Sequence, residues 1–390
     1  MPELKAGLEL GNHLLQRVAP SAIRAVDQQI SPIPGIIKLT LGEPDFAVPE
    51  HVKQATIAAI TADYSHYAPS MGYPELRQAV ANYLARRWGA HYAAEEIIVT
   101  TGATEAIAAT LHALFNPGDT LIVPTPTFPL YAAIGRECGL NVVEVNTAPA
   151  FIMTPELLAQ TLSAHPDAKA LIVNYPGNPT GVTYTAAQLR ALAKAVAATQ
   201  LLLISDEIYA ELTYGEEHLS LGKILPEQTV LISGLSKSHA MTGYRVGYVA
   251  GPATLTAQIG KMHQYMVTTV ASPMQMAALA ALRDGGADPL QMRGRYKQRR
   301  DLVVAGLRAA GFTLATPGGA FYVFAKLPER FGDDDLASNL RLAREARVGL
   351  VPGSVFGPGG RGYLRLSYAA ADEQLEEALR RIQAFCQANQ

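Results

Sequence analysis

The chain has 390 residues, with 32 Lys+Arg against 34 Asp+Glu, a formal net charge of -2, 49% hydrophobic and 17% charged residues. Such a length allows a large core and, at about 150 residues per domain, leads us to expect two domains; the near-balanced charge leaves no electrostatic reason to expect nucleic acid or an anionic membrane as partner. No uncharged apolar run approaches the ~18 residues of a membrane span, and the opening stretch, with Glu3 and Glu9, lacks the apolar core and cleavage site of a secretory signal. From about residue 50 to 285, short β-branched runs alternate with longer helical patterns, the sequence of a parallel sheet with helices on its faces. Strands are expected at IIVT (97–100), TLIVP (120–124), NVVEV (141–145), ALIVN (170–174), LLLIS (201–205), TVLIS (229–233) and RVGYVA (245–250), with helices such as TEAIAATLHALF and TAAQLRALAKAVAA between them. After about 285 the pattern changes to a charged helix through RGRYKQRRDLVVAGLRAA, then FTLAT, AFYVFAK, a helix after GDDD, and YLRLS. The expected organisation is α/β: residues 46–285 form a large domain around a mostly parallel sheet, and residues 286–390 form a smaller α+β domain joined by the segment 1–45. The Pro/Gly-rich segments 30–35 and 351–362 are the candidate hinges. Cys138 and Cys386 make no CxxC pair, which fits a reducing cytoplasm with neither disulfide nor zinc site.

Open α/β sheets bind ligands beyond the carboxyl ends of their strands, and the unusual residues of this sequence fall there. Asp206, Glu207 and Tyr209 follow LLLIS; Ser236 and Lys237 follow TVLIS, with Arg245 eight places on; Asn178 follows ALIVN within YPGNPTG. After IIVT, a Gly-Ala-Thr turn opens a helix, so the backbone N–H groups of Gly102, Ala103 and Thr104 form a candidate anion cradle at its positive end. Each feature has an ordinary reading when taken singly: Thr104 or Asp206 as a helix cap, Asn178 as turn chemistry, Lys237 and Arg245 as surface charges. Four strand ends that supply, in chain order, an anion cradle, an amide, a carboxylate with a phenol, and a lysine with an arginine make a set that those readings do not explain.

Pyridoxal phosphate needs all of these groups: an amine for its aldehyde, an acid for its ring nitrogen and donors for its phosphate. Lys237, desolvated and beside cations, is the candidate Schiff-base nucleophile and later the base that moves the α-proton. Asp206 is the candidate partner of the pyridine nitrogen, Asn178 and Tyr209 of the phenolic oxygen, and Phe128, in TPTFPLY, of the ring face.

The segments LGEPDF (41–46), HYAPSMGYPELRQAV (66–80), TGATEAI, PTPTFPLY (124–131), NYPGNPTG (174–181), SDEIYAEL (205–212), SGLSKSHAMTGYRVGY (233–248) and YLRLSYA (363–369) resemble, in order and over nearly the whole chain, the class I aminotransferases of fold-type I. The resemblance implies the same roles for Lys237, Asp206, Tyr209 and Asn178. It further implies that Arg245 binds the phosphate, that Arg365 grips the substrate α-carboxylate as a bidentate fork, and that Gly42 contacts that carboxylate through its backbone. Tyr67 resembles the tyrosine that reaches the phosphate of a neighbouring subunit, which implies a homodimer with shared active sites. Two positions depart from the pattern: Phe128 stands where relatives often have Trp or Tyr, and Gly234 stands where many have a phosphate-binding serine, a role that passes to Ser236 unless its hydroxyl caps backbone.

The expected reaction is transfer of an amino group between an L-amino acid and a 2-oxo acid. A β-elimination C–S lyase of the same fold is the alternative, distinguished by release of pyruvate and ammonia without an acceptor. A ligand-sensing transcription regulator is disfavoured, because the residues before LGEPDF are too few and too weakly basic for a DNA-binding domain. The opening PSAIRAVDQQISPIPGIIKLTLGEPDF is similar to aromatic amino-acid and N-acetyl-diaminopimelate aminotransferases. Arg24 is a candidate cation for a distal carboxylate, with a solvated helix position as its other reading.

Overall fold

The computed structural model describes residue 5 and residues 11–389; Glu3 and Glu9 of the opening stretch lie outside them. Its strands are β1 (Ile37–Lys38), β2 (Ile97–Thr100), β3 (Thr120–Thr125), β4 (Asn141–Asn146), β5 (Ala168–Asn174), β6 (Leu202–Asp206), β7 (Thr229–Gly234), β8 (Gly247–Ala250), β9 (Thr313–Leu314), β10 (Tyr322–Lys326), β11 (Val348–Gly349), β12 (Val351–Pro352) and β13 (Tyr363–Ser367). Seven form one sheet in the order β2-β8-β7-β6-β5-β3-β4. β3, β4, β5, β6 and β7 are parallel, whereas β8 runs antiparallel to both its neighbours. The sheet is therefore mostly parallel, as expected.

Its strands read as continuous apolar runs because both faces are covered. Side chains alternate across the sheet with period two. Ile172, Ile204 and Ile232 face one way, against Ile107 and Leu111 of the helix Gly102–Leu114 and Ile259 of the helix Ala253–Val267. Leu171, Val173 and Leu203 face the other way, against Leu189, Leu192 and Val196 of the helix Ala186–Ala197. That helix starts where the sequence says it should: Thr185 accepts the Gln188 amide while Gln188 reaches back to the Thr185 amide, a reciprocal cap. Replacing one of the central isoleucines with alanine costs about 2–5 kcal/mol.

The chain winds from β3 outward to β4, returns to β5, and then continues through β6 and β7 in the opposite direction. A crevice opens at the carboxyl ends of the strands where winding reverses. Over that crevice lies a four-stranded sheet, β12-β13-β10-β9, packed on the helices Asp288–Ala309 and Asp372–Ala388 through Val303, Leu307, Phe321, Leu375 and Ile382. β1 leaves the N-terminal segment to pair in parallel with β11. The chain between β1 and the helix Glu50–Thr61 thereby becomes a strap across the crevice. Cys138 and Cys386 are buried free thiols.

Candidate active site

Strand register brings the chemistry-bearing ends together. Asn174, last in β5, pairs with Asp206, last in β6, and Asp206 pairs with Ile232 of β7. The Asn174 amide donates to the Asp206 carbonyl at 3.0 Å and its Oδ1 accepts the Asn178 N–H at 3.0 Å. One side chain thus locks the Asn178 loop to the neighbouring strand, and Asn178 Oδ1 then accepts from Arg365 Nη1 at 3.0 Å.

Asp206 is buried at the floor of the crevice. Oδ1 accepts the Ile208 amide at 3.1 Å and Oδ2 accepts the Tyr131 hydroxyl at 2.7 Å. Burial disfavours the charged form most strongly; the two donors and the Lys237 charge favour it, the Glu207 charge does not, and the carboxyl is pushed up to about 6. It is therefore ionised at neutral pH and retains lone pairs for a third donor. Tyr131, edge-on to Phe128 with ring centroids 6.0 Å apart, was not singled out in the sequence. Its only local signal is the aromatic pair at i and i+3 in TFPLY.

Lys237 sits in the short helix Leu235–Ser238 that follows β7 directly. Its Nζ donates to the Gly42 carbonyl at 2.5 Å and lies 5.8 Å from the Phe321 ring centroid. Burial lowers its pKa most; Arg245 and Arg365 push the same way, Glu43 and Asp206 oppose them, and the amine is brought down to about 8. About a tenth to a fifth is then neutral and nucleophilic near physiological pH, a far larger share than an exposed lysine at its usual value offers.

Arg365, on β13, is 2% exposed. Its Nη2 donates to the Thr40 carbonyl at 2.5 Å, its guanidinium lies against the rings of Tyr322 and Phe356, and its Nε has no partner among the described residues. No carboxylate neutralises it among the described residues, and burial lowers its pKa. A buried guanidinium with an orphan donor is costly unless an anion arrives. The strap 40–45 links the two cations, since Thr40 and Gly42 offer their carbonyls to Arg365 and Lys237. Asp45 fixes its far end through Arg299 Nη1 at 2.8 and 2.9 Å and the Tyr296 hydroxyl at 3.1 Å. Tyr322, also missed in the sequence, shares a 2.9 Å hydrogen bond with the Tyr209 hydroxyl. A Cβ on Gly42 would come within 2.7 Å of the Tyr322 hydroxyl, so the strap lies directly on that phenol.

At the other end of the crevice, the Thr101 side chain does not cap the helix Gly102–Leu114, which leaves its first-turn amides open among the described residues. Gly102 has φ +74, and a Cβ there would fall 2.7 Å from Arg245 Nη2, so the guanidinium lies against this helix start. Ala103 is half-buried and Thr104 exposed there. Ser236 is buried in the short helix that carries Lys237. Gly234 explains itself: a Cβ would stand 2.8 Å from Gly247 Cα, and one on Gly247 2.7 Å from the Ala103 amide nitrogen. Tyr67 is 85% exposed in the single chain. Arg24, on the helix Ala22–Ile30, is also exposed.

Residues 34–382 match the family model described as Aminotransferase class I and II. The chain is 41% identical to the "Probable N-acetyl-LL-diaminopimelate aminotransferase" of Bacillus subtilis, over 96% of each chain. It is 38% identical to the "Aspartate/prephenate aminotransferase" of Thermus thermophilus, over 94% of this chain and 96% of the relative. Among solved structures it is similar to an aspartate aminotransferase from Thermus thermophilus with maleate, at TM-score 0.92 and 37% identity, covering 97% of this chain and all of the other. With a mostly parallel sheet flanked by helices and a crevice that gathers an amine, a carboxylate and an unpaired guanidinium, the chain belongs to the class I and II aminotransferases, a pyridoxal-phosphate-dependent family, and is an enzyme that transfers amino groups.

Proposed function

We propose that the crevice holds pyridoxal 5'-phosphate and exchanges the amino group of an amino acid with a 2-oxo acid, with Arg365 as the clamp for the α-carboxylate common to both substrates. The observation that carries this reading is Arg365 itself: a buried guanidinium, unneutralised and with a free Nε among the described residues, that is held by the same strap as Lys237, through the Thr40 carbonyl where Lys237 uses that of Gly42. The donor set fits the cofactor. Gly102, Ala103, Thr104, Ser236 and Arg245 suit its phosphate, Asp206 its ring nitrogen, Tyr209 and Asn178 its phenolic oxygen, Phe128 its ring face, and Lys237 its aldehyde.

When bound, pyridoxal phosphate supplies a carbonyl that takes up the amino group and a ring that withdraws electrons from the α-carbon. The chain's residues supply the rest. Lys237, brought to about 8 by burial, exists partly as a free amine; released from the Gly42 carbonyl, it would be the amine that holds the aldehyde and the base that carries the α-proton. Asp206 stays ionised above about 6 and would accept a hydrogen bond from the ring nitrogen. The Tyr209 hydroxyl, held by Tyr322, is an undissociated donor because burial drives its pKa well above 10. Arg365 exchanges the Thr40 carbonyl for a carboxylate and thereby fixes which face of the α-carbon Lys237 reaches.

For the donor we infer N-acetyl-LL-diaminopimelate, the substrate in the name of the Bacillus subtilis relative. The rings of Tyr322 and Phe356 on Arg365 favour a second reading, an aromatic amino acid. We also infer a homodimer in which Tyr67 of one subunit completes the phosphate site of the other; sedimentation as a monomer under conditions of full activity would contradict it. A donor panel tests the assignment. Loss of cofactor colour should be fastest with N-acetyl-LL-diaminopimelate, compared with phenylalanine, tyrosine and glutamate, and a 2-oxo acid should restore the colour. Release of ammonia without acceptor would sink the transfer mechanism.

A further inference from the structure

Behind the proposed phosphate site lies a charged pair that the cofactor's own contacts do not require. Glu105 stands in the first turn of the helix Gly102–Leu114, where its Oε2 accepts the Thr101 N–H at 3.0 Å. Its Oε1 lies 3.0 Å from Nδ1 of His263, which is fully buried, and the other ring nitrogen, Nε2, lies 2.8 Å from the Ser70 carbonyl. The carboxylate and the carbonyl are both acceptors, so these contacts are satisfied together only when one proton is shared between Glu105 and His263. On either atom, that proton makes the pair electrically neutral. An unneutralised carboxylate in this turn would face a phosphate dianion as a like charge and cancel much of the helix's attraction for it.

The ring also reaches the turn that bears Tyr67. Ser70 lies three residues beyond Tyr67, and the same turn is tied down by Thr269 Oγ1 to the Pro69 carbonyl at 3.1 Å and Ser272 Oγ to the His66 carbonyl at 2.7 Å. His263 therefore touches both the helix start and the segment assigned to the neighbouring subunit's phosphate. We propose that His263 is a positioning residue that neutralises Glu105 behind the phosphate cradle and braces the Tyr67 turn through Ser70. This rests on the reading that the helix start at Gly102 takes the cofactor phosphate.

The titration of the ring agrees. Burial disfavours its charged form, but the hydrogen bond and charge of Glu105 and the Ser70 carbonyl outweigh burial and raise it above its ordinary 6.5. Glu105 is the ionisable group that faces the ring from the helix Gly102–Leu114. Of the acids in the turn Ala94–Glu96, which packs on the same helix as His263, Glu96 is engaged by the Ala93 N–H at 2.9 Å. On the ring's own helix, Lys261 and Tyr265 are exposed. Because the folded value is raised, the pair's contribution is complete below the ordinary histidine value and is lost as pH rises through the folded one.

The test uses the apo-protein and its affinity for pyridoxal phosphate and for pyridoxal, which lacks the phosphate, from neutral to alkaline pH. His263→Gln should weaken pyridoxal phosphate by about tenfold, the scale of one uncompensated charge near the cradle, and pyridoxal far less. Adding Glu105→Gln should restore the affinity. Glu105→Gln alone should flatten the alkaline fall expected of wild type, a comparison in which the titrations of Lys237 and of the phosphate cancel. Equal losses for both ligands in His263→Gln, or identical pH slopes in wild type and Glu105→Gln, would overturn the inference. If His263→Gln does not fold, the two slopes decide alone. Wild type that takes up no pyridoxal phosphate would instead overturn the proposed function, and this inference with it.

Discussion

Replacing Tyr131 with phenylalanine removes one of the two donors that Asp206 side-chain oxygens have among the described residues, while keeping the ring that packs against Phe128. The hydroxyl is a donor at any working pH, because burial, reinforced by the Asp206 charge, drives its own pKa well above 10. A hydrogen bond to a charged group is worth about 1.5–3 kcal/mol, and each pKa unit corresponds to about 1.4 kcal/mol, so its loss should raise Asp206 by about one to two units. Starting from about 6, the carboxyl would then titrate at about 7–8, and at neutral pH its ionised share would drop from a large majority to about half or less. Uptake of pyridoxal phosphate by the apo-protein reports this directly. Below the Asp206 pKa, pairing with a protonated ring nitrogen must expel a proton, so affinity falls about tenfold per pH unit. Tyr131→Phe should move this acid limb upward by one to two units and leave affinity on the alkaline side nearly unchanged. An acid limb that stays in place would refute the role given to the Tyr131 hydroxyl, and a uniform loss at every pH would show that the substitution acts through packing.

Three further substitutions probe the rest of the site. Lys237→Ala should abolish turnover but leave a folded protein that binds pyridoxal phosphate reversibly, checked by dialysis and a borohydride reduction that no longer fixes the cofactor. Arg365→Ala should lower kcat/KM by about 2–5 kcal/mol, the scale for losing one partner of a buried charge pair, with Arg365→Lys failing to restore it because one ammonium cannot reproduce the fork; unchanged kcat/KM would exclude Arg365 as the carboxylate clamp. Gly234→Ser supplies the serine that many relatives carry, yet it should destabilise the protein by about 1–3 kcal/mol, the cost of overpacking, because its Cβ meets Gly247 Cα. A melting temperature equal to wild type would disprove that reading.

Most of the strand ends were legible in the sequence because their signals are local. Runs such as LLLIS and TVLIS bury both faces of a sheet, and Asp206 and Lys237 follow them within a few residues, so once the strands are recognised their ends are known. Gly234 is different. The sequence shows a missing serine, and only the approach of β8 and the Gly102 turn explains why no side chain fits.

The amino-acid order alone determined the alternation of strand and helix and the identity of the groups at the strand ends, since hydrophobic period and chain adjacency operate over a few residues. Which groups meet was decided by tertiary structure. Tyr131 reaches Asp206 across 75 residues, Lys237 finds the Gly42 carbonyl across 195, and Arg365 takes the Thr40 carbonyl across 325. Period two tells a side chain which face of the sheet it occupies, but not which strand will lie beside it. That neighbour follows from the order β2-β8-β7-β6-β5-β3-β4 and from the pairing of β1 with β11, which come from burying both faces of the sheet at once and which no short stretch of sequence contains.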